Sequence, residues 1–305
     1  MKTNTDPDLL AIVGHTAGGK TALAAAVASR LNGEVISADS RQVYRGMDLG
    51  TGKDYQDYCV GGTWIPAHLI DIREAGERYT LFDFREDFRR ISSEIRERGK
   101  LPVLCGGTGL YVEAVLKGYP LLEVPVDENF RKQCETLTME RLEEELRSFG
   151  PLHNVTDIIE RDRLIRALEI ARFSVQNSGT AGSDGTLNYK VFGVVFDREE
   201  RRSRITARLR QRLESGMVEE VRALLEKVAP DDLIYYGLEY KYLTLYCQEK
   251  LSYDEMFRLL NTAIHQFSKR QMTWFRGMEK RGIPITWIPG ELNLDEKVEL
   301  VLNNI

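Results

Sequence analysis

Eight consecutive residues constrain this chain more than any others: Gly14-His15-Thr16-Ala17-Gly18-Gly19-Lys20-Thr21 fits G-x-x-x-x-G-K-[ST]. The pattern has its required setting. The apolar run Leu9-Leu10-Ala11-Ile12-Val13 reads as a buried parallel strand, and Ala22 to Leu31 reads as a helix. Glycines let backbone N–H groups turn inward around an anion, and the helix N-terminus adds partial positive charge. Gly14, Thr16, Ala17, Gly18 and Gly19 form the cradle, Lys20 balances phosphate charge, and the Thr21 hydroxyl helps hold Mg²⁺. The same cradle serves nucleotide hydrolysis, kinase chemistry and other diphosphate chemistry, so it names a ligand class and leaves the reaction open.

Downstream, strands and helices alternate. Glu34 to Ser37, His68 to Ile72 and Leu101 to Cys105 read as strands, with a helix over Asp83 to Arg98. This predicts an α/β fold, a P-loop-type parallel sheet flanked by helices, with ligands at the C-terminal ends of the strands. After Gly118 the periodicity turns helical over Asp127 to Leu137, Met139 to Phe149 and Ile158 to Phe173. Gln176 to Thr186 reads as a loop, and Val191 to Phe196 as a late strand rejoining the sheet. Helices follow over Glu200 to Leu213, Val218 to Val228 and Tyr253 to Trp274. The expected organisation is a catalytic core of residues 1–118 and 159–305 interrupted by a helical insertion domain, 119–158.

Composition excludes several classes. No apolar run approaches the roughly 20 residues that span a bilayer, and Met1 to Asp8 lacks a secretory signal's features, so a cytoplasmic protein with no membrane partner is expected. The four cysteines and four histidines lack ligand spacing, which argues against zinc and disulfide frameworks. A formal charge of −5 excludes a uniformly basic coat, yet arginines crowd at Arg161 to Arg166, Arg198 to Arg212 and Lys269 to Arg281.

Asp39, at the end of the second strand, points a carboxylate toward the phosphate crevice or caps the segment that follows; position alone leaves both readings open. Gly50-Thr51-Gly52-Lys53 is a small-residue turn bearing a cation, and Gly106-Gly107-Thr108-Gly109-Leu110-Tyr111 opens a helix at a strand end.

These motifs resemble those of the tRNA dimethylallyltransferases, also called tRNA isopentenyltransferases. The resemblance rests on Gly14-x-Thr16-Ala17-x-Gly19-Lys20-Thr21, on Ile36 to Asp39 continuing through Gln42-Val43-Tyr44-Arg45-Gly46-Met47-Asp48-Leu49-Gly50-Thr51, and on His68-Leu69-Ile70-Asp71. It continues through Gly106 to Tyr111, Asp162 to Glu169 and Lys269 to Arg276, in the family's order and over roughly Leu9 to Trp287. It implies that the cradle holds dimethylallyl diphosphate with Mg²⁺, and that the acceptor is the exocyclic amine of the adenine 3′ of a tRNA anticodon. That amine is a poor nucleophile, so a base that removes its proton is useful, and Asp39 is the candidate.

By the same resemblance Thr108 contacts the substrate, and Ser40, Arg41 and Gln42 fix the flipped base. Asp162, Arg163, Leu164, Ile165 and Arg166 lie against tRNA, as do Arg270 and Gln271. Either Arg204 or Arg208 reaches the diphosphate, and the insertion clasps the anticodon stem-loop. Trp274 reads as a core residue. A monomer is expected, and the lack of a C-terminal zinc finger implies a bacterial-type enzyme.

The chain departs from the family in three places. His15 replaces a proline, Asp54 stands where proline is common, and Gly237-Leu238-Glu239-Tyr240 lacks the usual Gly-Tyr-[Lys/Arg]. Competing readings are an adenylate (cytokinin-type) isopentenyltransferase, a P-loop kinase and a non-enzymatic RNA-binding protein.

Overall fold

The structure is a computed structural model, and it describes residues 7–119, 121–150, 158, 160–176 and 187–305. In chain order its elements are β1 (Leu9–Gly14), α1 (Lys20–Arg30), β2 (Gly33–Ser37), β3 (Cys59–Val60), β4 (Thr63–Trp64), β5 (Ala67–His68), α2 (Leu81–Glu97), β6 (Leu101–Gly106) and α3 (Gly109–Leu116). Then come α4 (Glu128–Glu135), α5 (Met139–Ser148), α6 (Arg161–Gln176), β7 (Tyr189–Val195), α7 (Arg198–Glu214), α8 (Met217–Leu225) and α9 (Pro230–Tyr235). The chain closes with α10 (Leu238–Cys247), α11 (Tyr253–Lys280), β8 (Thr286–Pro289) and α12 (Leu294–Leu302).

Every pairing in the main sheet, ordered β5-β2-β6-β1-β7-β8, is parallel, with β3 and β4 forming a separate antiparallel hairpin. Its central strand shows why. Leu9, Ala11 and Val13 of β1 enter one core cluster while Leu10 and Ile12 enter the other, so both faces need helical cover. All five side chains are fully buried, each large one contributing about 1.5–3 kcal/mol. The strand β7 does rejoin the sheet, pairing along β1 from Leu9↔Tyr189 to Gly14↔Val194. The C-terminal ends of β2, β6 and β1 therefore lie side by side, and β1 is flanked by β6 and β7, strands far apart in sequence.

The third strand is shorter than the expected His68 to Ile72. Leu69 and Asp71 take left-handed φ of 61° and 55°, which ends the ladder after His68. In return the Asp71 carboxylate meets Lys53 and the Tyr55 hydroxyl.

The chain divides into two compact units, Met1–Lys117 with Thr186–Ile305, and Gly118–Gly185. This corrects the expected boundary at residue 158. The helix α6, assigned above to the core, packs on α4 and α5 through Leu164, Ile165 and Leu168, which share a cluster with Phe130, Cys134, Leu142 and Leu146. Its physical anchor is the buried Glu169, ion-paired to Arg131 at 2.8 Å and to Arg166 at 2.8 Å. The loop expected over Gln176 to Thr186 lies, beyond Gln176, outside the described residues.

Candidate active site

The cradle starts where β1 ends. Gly14 has φ 146°, and a Cβ there would stand 2.8 Å from the Val194 carbonyl oxygen of β7, so glycine is required by both conformation and space. Ala17 and Gly19 are also left-handed, which rolls the turn into α1 at Lys20. The Lys20 ammonium donates to the His15 carbonyl at 2.7 Å. Loss of hydration lowers its pKa to about 8, and Arg208 pushes in the same direction. Thr21, half-buried, follows Lys20 in the first turn of α1. His15 is buried, and desolvation holds it neutral with a pKa near 4.

The next strand ends supply the opposite side. Asp39 follows β2, and its Oδ1 accepts the Arg41 backbone N–H at 2.9 Å, so the carboxylate caps its own turn while remaining half-buried. The capping reading of Asp39 is the one this bond describes. Thr108 follows β6; its hydroxyl accepts the Ser40 N–H at 3.2 Å, and its own N–H donates to the Ala38 carbonyl at 3.3 Å. Gly106 makes this junction possible, because a Cβ there would strike the Ala38 carbonyl. Gln42 accepts from the Ser37 hydroxyl at 3.0 Å and donates to the Gly52 carbonyl at 3.2 Å. Asp39 lies within electrostatic reach of Lys20 and helps keep it protonated.

One buried side chain ties these walls together. Gln271 of α11 accepts the Thr16 N–H at 2.9 Å and donates to the Gly107 carbonyl at 2.9 Å. Its place is therefore beneath the site, which corrects its expected position on an RNA-facing surface; Arg270 beside it is exposed. Trp274 is half-buried against the core and packs on Gly109, with its indole N–H unpaired.

The helix α7 closes the third side. Arg204 Nε donates to the Ala17 carbonyl at 3.2 Å and lies over the Phe196 ring. Arg208 is ion-paired to Asp54, and Arg212, 3.6 Å from the same carboxylate, leaves its buried Nη2 without a hydrogen bond. A small, open pocket with about 20 Å³ of free space lies here, lined by Thr16, Ala17, Arg208, Arg212 and Glu239 together with apolar Ile205, Leu209, Met217 and Ile264. Burial raises the Glu239 pKa. Sequence reasoning overlooked Arg212 and Glu239 as wall residues; the i, i+4, i+8 spacing of Arg204, Arg208 and Arg212 was the signal that could have found the first.

Other expectations fare differently. Lys53, the cation of the small-residue turn, is buried; it donates to the Tyr44 carbonyl and pairs with Asp48 at 2.9 Å and with Asp71. In the second unit Leu164 and Ile165 are core residues, so their side chains face no RNA, while Asp162 and Arg163 are exposed, the latter 2.9 Å from Glu160. The guanidinium of Arg166 is engaged by Glu169 and by the Val124 carbonyl at 2.7 Å.

The family model for IPP transferase matches residues 42–278, more than half of the chain. The chain belongs to the IPP transferase family. Among its curated relatives, a tRNA dimethylallyltransferase 2 of Bacteroides fragilis is 55% identical over 300 residues, covering 98% of this chain and 97% of the relative. A tRNA dimethylallyltransferase 1 of Parabacteroides distasonis is 52% identical over 301 residues, covering 97% and 98%. The crystal structure of the full-length tRNA isopentenylpyrophosphate transferase from Bacillus halodurans is similar with a TM-score of 0.72 at 34% identity, covering 98% of this chain and 95% of that one. The α/β parallel-sheet architecture of this IPP transferase family member is thus shared with a solved relative over almost its whole length.

Proposed function

We propose that this IPP transferase family member transfers a dimethylallyl group from dimethylallyl diphosphate to the N6 amine of an adenine beside a tRNA anticodon, releasing diphosphate. The single observation that carries the reading is an anion cradle at the end of β1 tied through Gln271 to the Gly107-Thr108 turn, whose Thr108 hydroxyl in turn accepts the Ser40 N–H beside Asp39 at the end of β2. The near-full-length similarity to proteins named tRNA dimethylallyltransferases supports the acceptor.

The chemistry follows from charge. As the amine attacks the allylic carbon, the C–O bond to the diphosphate breaks and negative charge grows on the leaving oxygens. On this reading Lys20, the loop N–H groups and Arg208 with Arg204 meet that charge, and they act most strongly in a site that excludes water. The near-full-length similarity to proteins named tRNA dimethylallyltransferases favours a prenyl donor over ATP. Asp39 takes the amine proton, while Thr108 and Ser40 hold the Asp39 turn in place and Gln42 braces its base.

A divalent cation fits the residues present. The Thr21 hydroxyl, next to Lys20 in the first turn of α1, is a neutral oxygen donor. That donor set suits Mg²⁺, which keeps waters and shares a substrate's phosphate oxygens rather than sitting in a protein cage. When bound it neutralises charge on the departing diphosphate.

The experiment is to incubate the protein with labelled dimethylallyl diphosphate and, in parallel, unmodified tRNA, AMP, or labelled ATP with candidate acceptors. Label is expected on tRNA alone; prenylated AMP or phosphoryl transfer would replace the reading with the cytokinin-type or kinase alternative. Asp39→Ala is expected to slow turnover by about 100-fold or more while sparing RNA affinity.

A further inference from the structure

Beside Asp39 the surface carries an aromatic ring that the proposed chemistry does not use. Tyr235, the last residue of α9, is 51% exposed, whereas its neighbour Tyr236 is buried with its ring 4.4 Å from that of Tyr44. Two guanidinium groups lie over the Tyr235 ring, Arg78 at 3.7 Å from its centroid and Arg41 at 5.4 Å. Arg41 is the residue whose backbone N–H binds Asp39 Oδ1. Tyr235 and Asp39 are also jointly within electrostatic reach of the Tyr111 hydroxyl, so ring and carboxylate share one neighbourhood.

The arrangement is held from below. The Tyr236 hydroxyl donates to the Glu77 carbonyl at 2.7 Å and accepts the Gly76 N–H at 2.6 Å, which pins the turn carrying Arg78 against the end of α9. Arg78 also reaches Asp232, one turn before Tyr235, at 3.2 Å. Core packing accounts for Tyr236 and Tyr44. It does not account for a half-exposed ring fixed among cations at the mouth of the site.

Extruding the target adenine removes the stacking partner of the bases on either side, a loss of a few kcal/mol. A preorganised aromatic face with cationic neighbours compensates for such a loss without demanding a particular base. We propose that Tyr235, framed by Arg41 and Arg78, is a stacking platform for the base of the nucleotide next to the modified adenine in the RNA loop. This rests on the RNA-prenylation reading above and adds a subsite to it.

The test uses the full chain with inorganic pyrophosphate and an RNA hairpin carrying 2-aminopurine immediately 5′ or 3′ of the target adenine. Wild-type protein quenches the fluorophore at one of the two positions; Tyr235→Ala loses the quench, and Tyr235→Phe and Tyr235→Trp keep it. In turnover, Tyr235→Ala lowers kcat/KM for RNA roughly tenfold through KM. That penalty disappears when the same nucleotide is abasic, a coupling that a merely structural role would not produce. An equal penalty on the abasic RNA, or a quench that survives Tyr235→Ala, overturns the platform. Prenyl transfer absent from a wild-type protein that still quenches would overturn the function and leave the platform standing.

Discussion

Two helices of this protein look alike on paper and do different work. Both α6 and α7 carry arginines about every turn. In α7 the side chains of Arg204, Arg208 and Arg212 reach the anion cradle or the cavity beside it, and one of them retains an unsatisfied N–H. In α6, Arg161 caps the carbonyls of Cys134 and Leu137 while Arg166 is consumed by Glu169 and Val124. An arginine cluster therefore signals a ligand only where its donors outnumber the acceptors the fold provides.

That contrast can be broken experimentally. Arg208→Ala should raise the donor KM roughly 10- to 100-fold, because a charge-assisted contact to the diphosphate is lost; an unchanged donor KM would leave α7 no more functional than α6. The next effect comes from pH. Lys20, with its pKa lowered to about 8, is cationic below that pH and neutral above it, so donor affinity is full below pH 8 and weakens as pH rises. Without a bound anion about one lysine in ten keeps its proton one unit higher, so a donor KM measured at pH 9 should exceed that at pH 7 by up to roughly tenfold. A flat profile would mean the ammonium does not meet the diphosphate.

Smaller changes sharpen the comparison. Asp54→Asn releases Arg208 from its ion pair and should lower the donor KM by about threefold, the size expected of a partly exposed pair. In α6, Arg166→Ala should leave the salt dependence of RNA binding unaltered and cost the second unit about 1–3 kcal/mol, read by thermal or urea unfolding of the full chain. A flattened salt slope would show that Arg166 meets a phosphate after all.

The cradle and its flanking elements were legible in the sequence because the signal is local: an apolar run, a glycine-rich turn and a helical period follow one another within about one βα unit. Asp39, Thr108 and Gly106 were legible because each lies at or just past the end of a strand whose end is predictable. What escaped depended on tertiary partners. Glu169 alone reveals nothing of drawing α6 into the second unit, and a polar glutamine in an arginine-rich stretch gives no hint that it will be buried. The helices α9 and α10 were hidden by Gly237, whose φ of 130° separates them, and by aromatic residues with weak helix preference. The partner of the lysine in the Gly50 to Lys53 turn is likewise tertiary: Asp71, released from the strand by a left-handed backbone, supplies its counter-charge.

The Gln271 amide has a mechanical consequence. Its oxygen and nitrogen are 2.9 Å from partners in the donor turn and in the turn bearing Thr108 respectively, so neither loop shifts without tugging the other through a planar group of fixed length. On the proposed chemistry, grip on the leaving group and alignment of the acceptor are geared to a single pivot on α11. A substrate that settles wrongly on one side is thereby penalised on both.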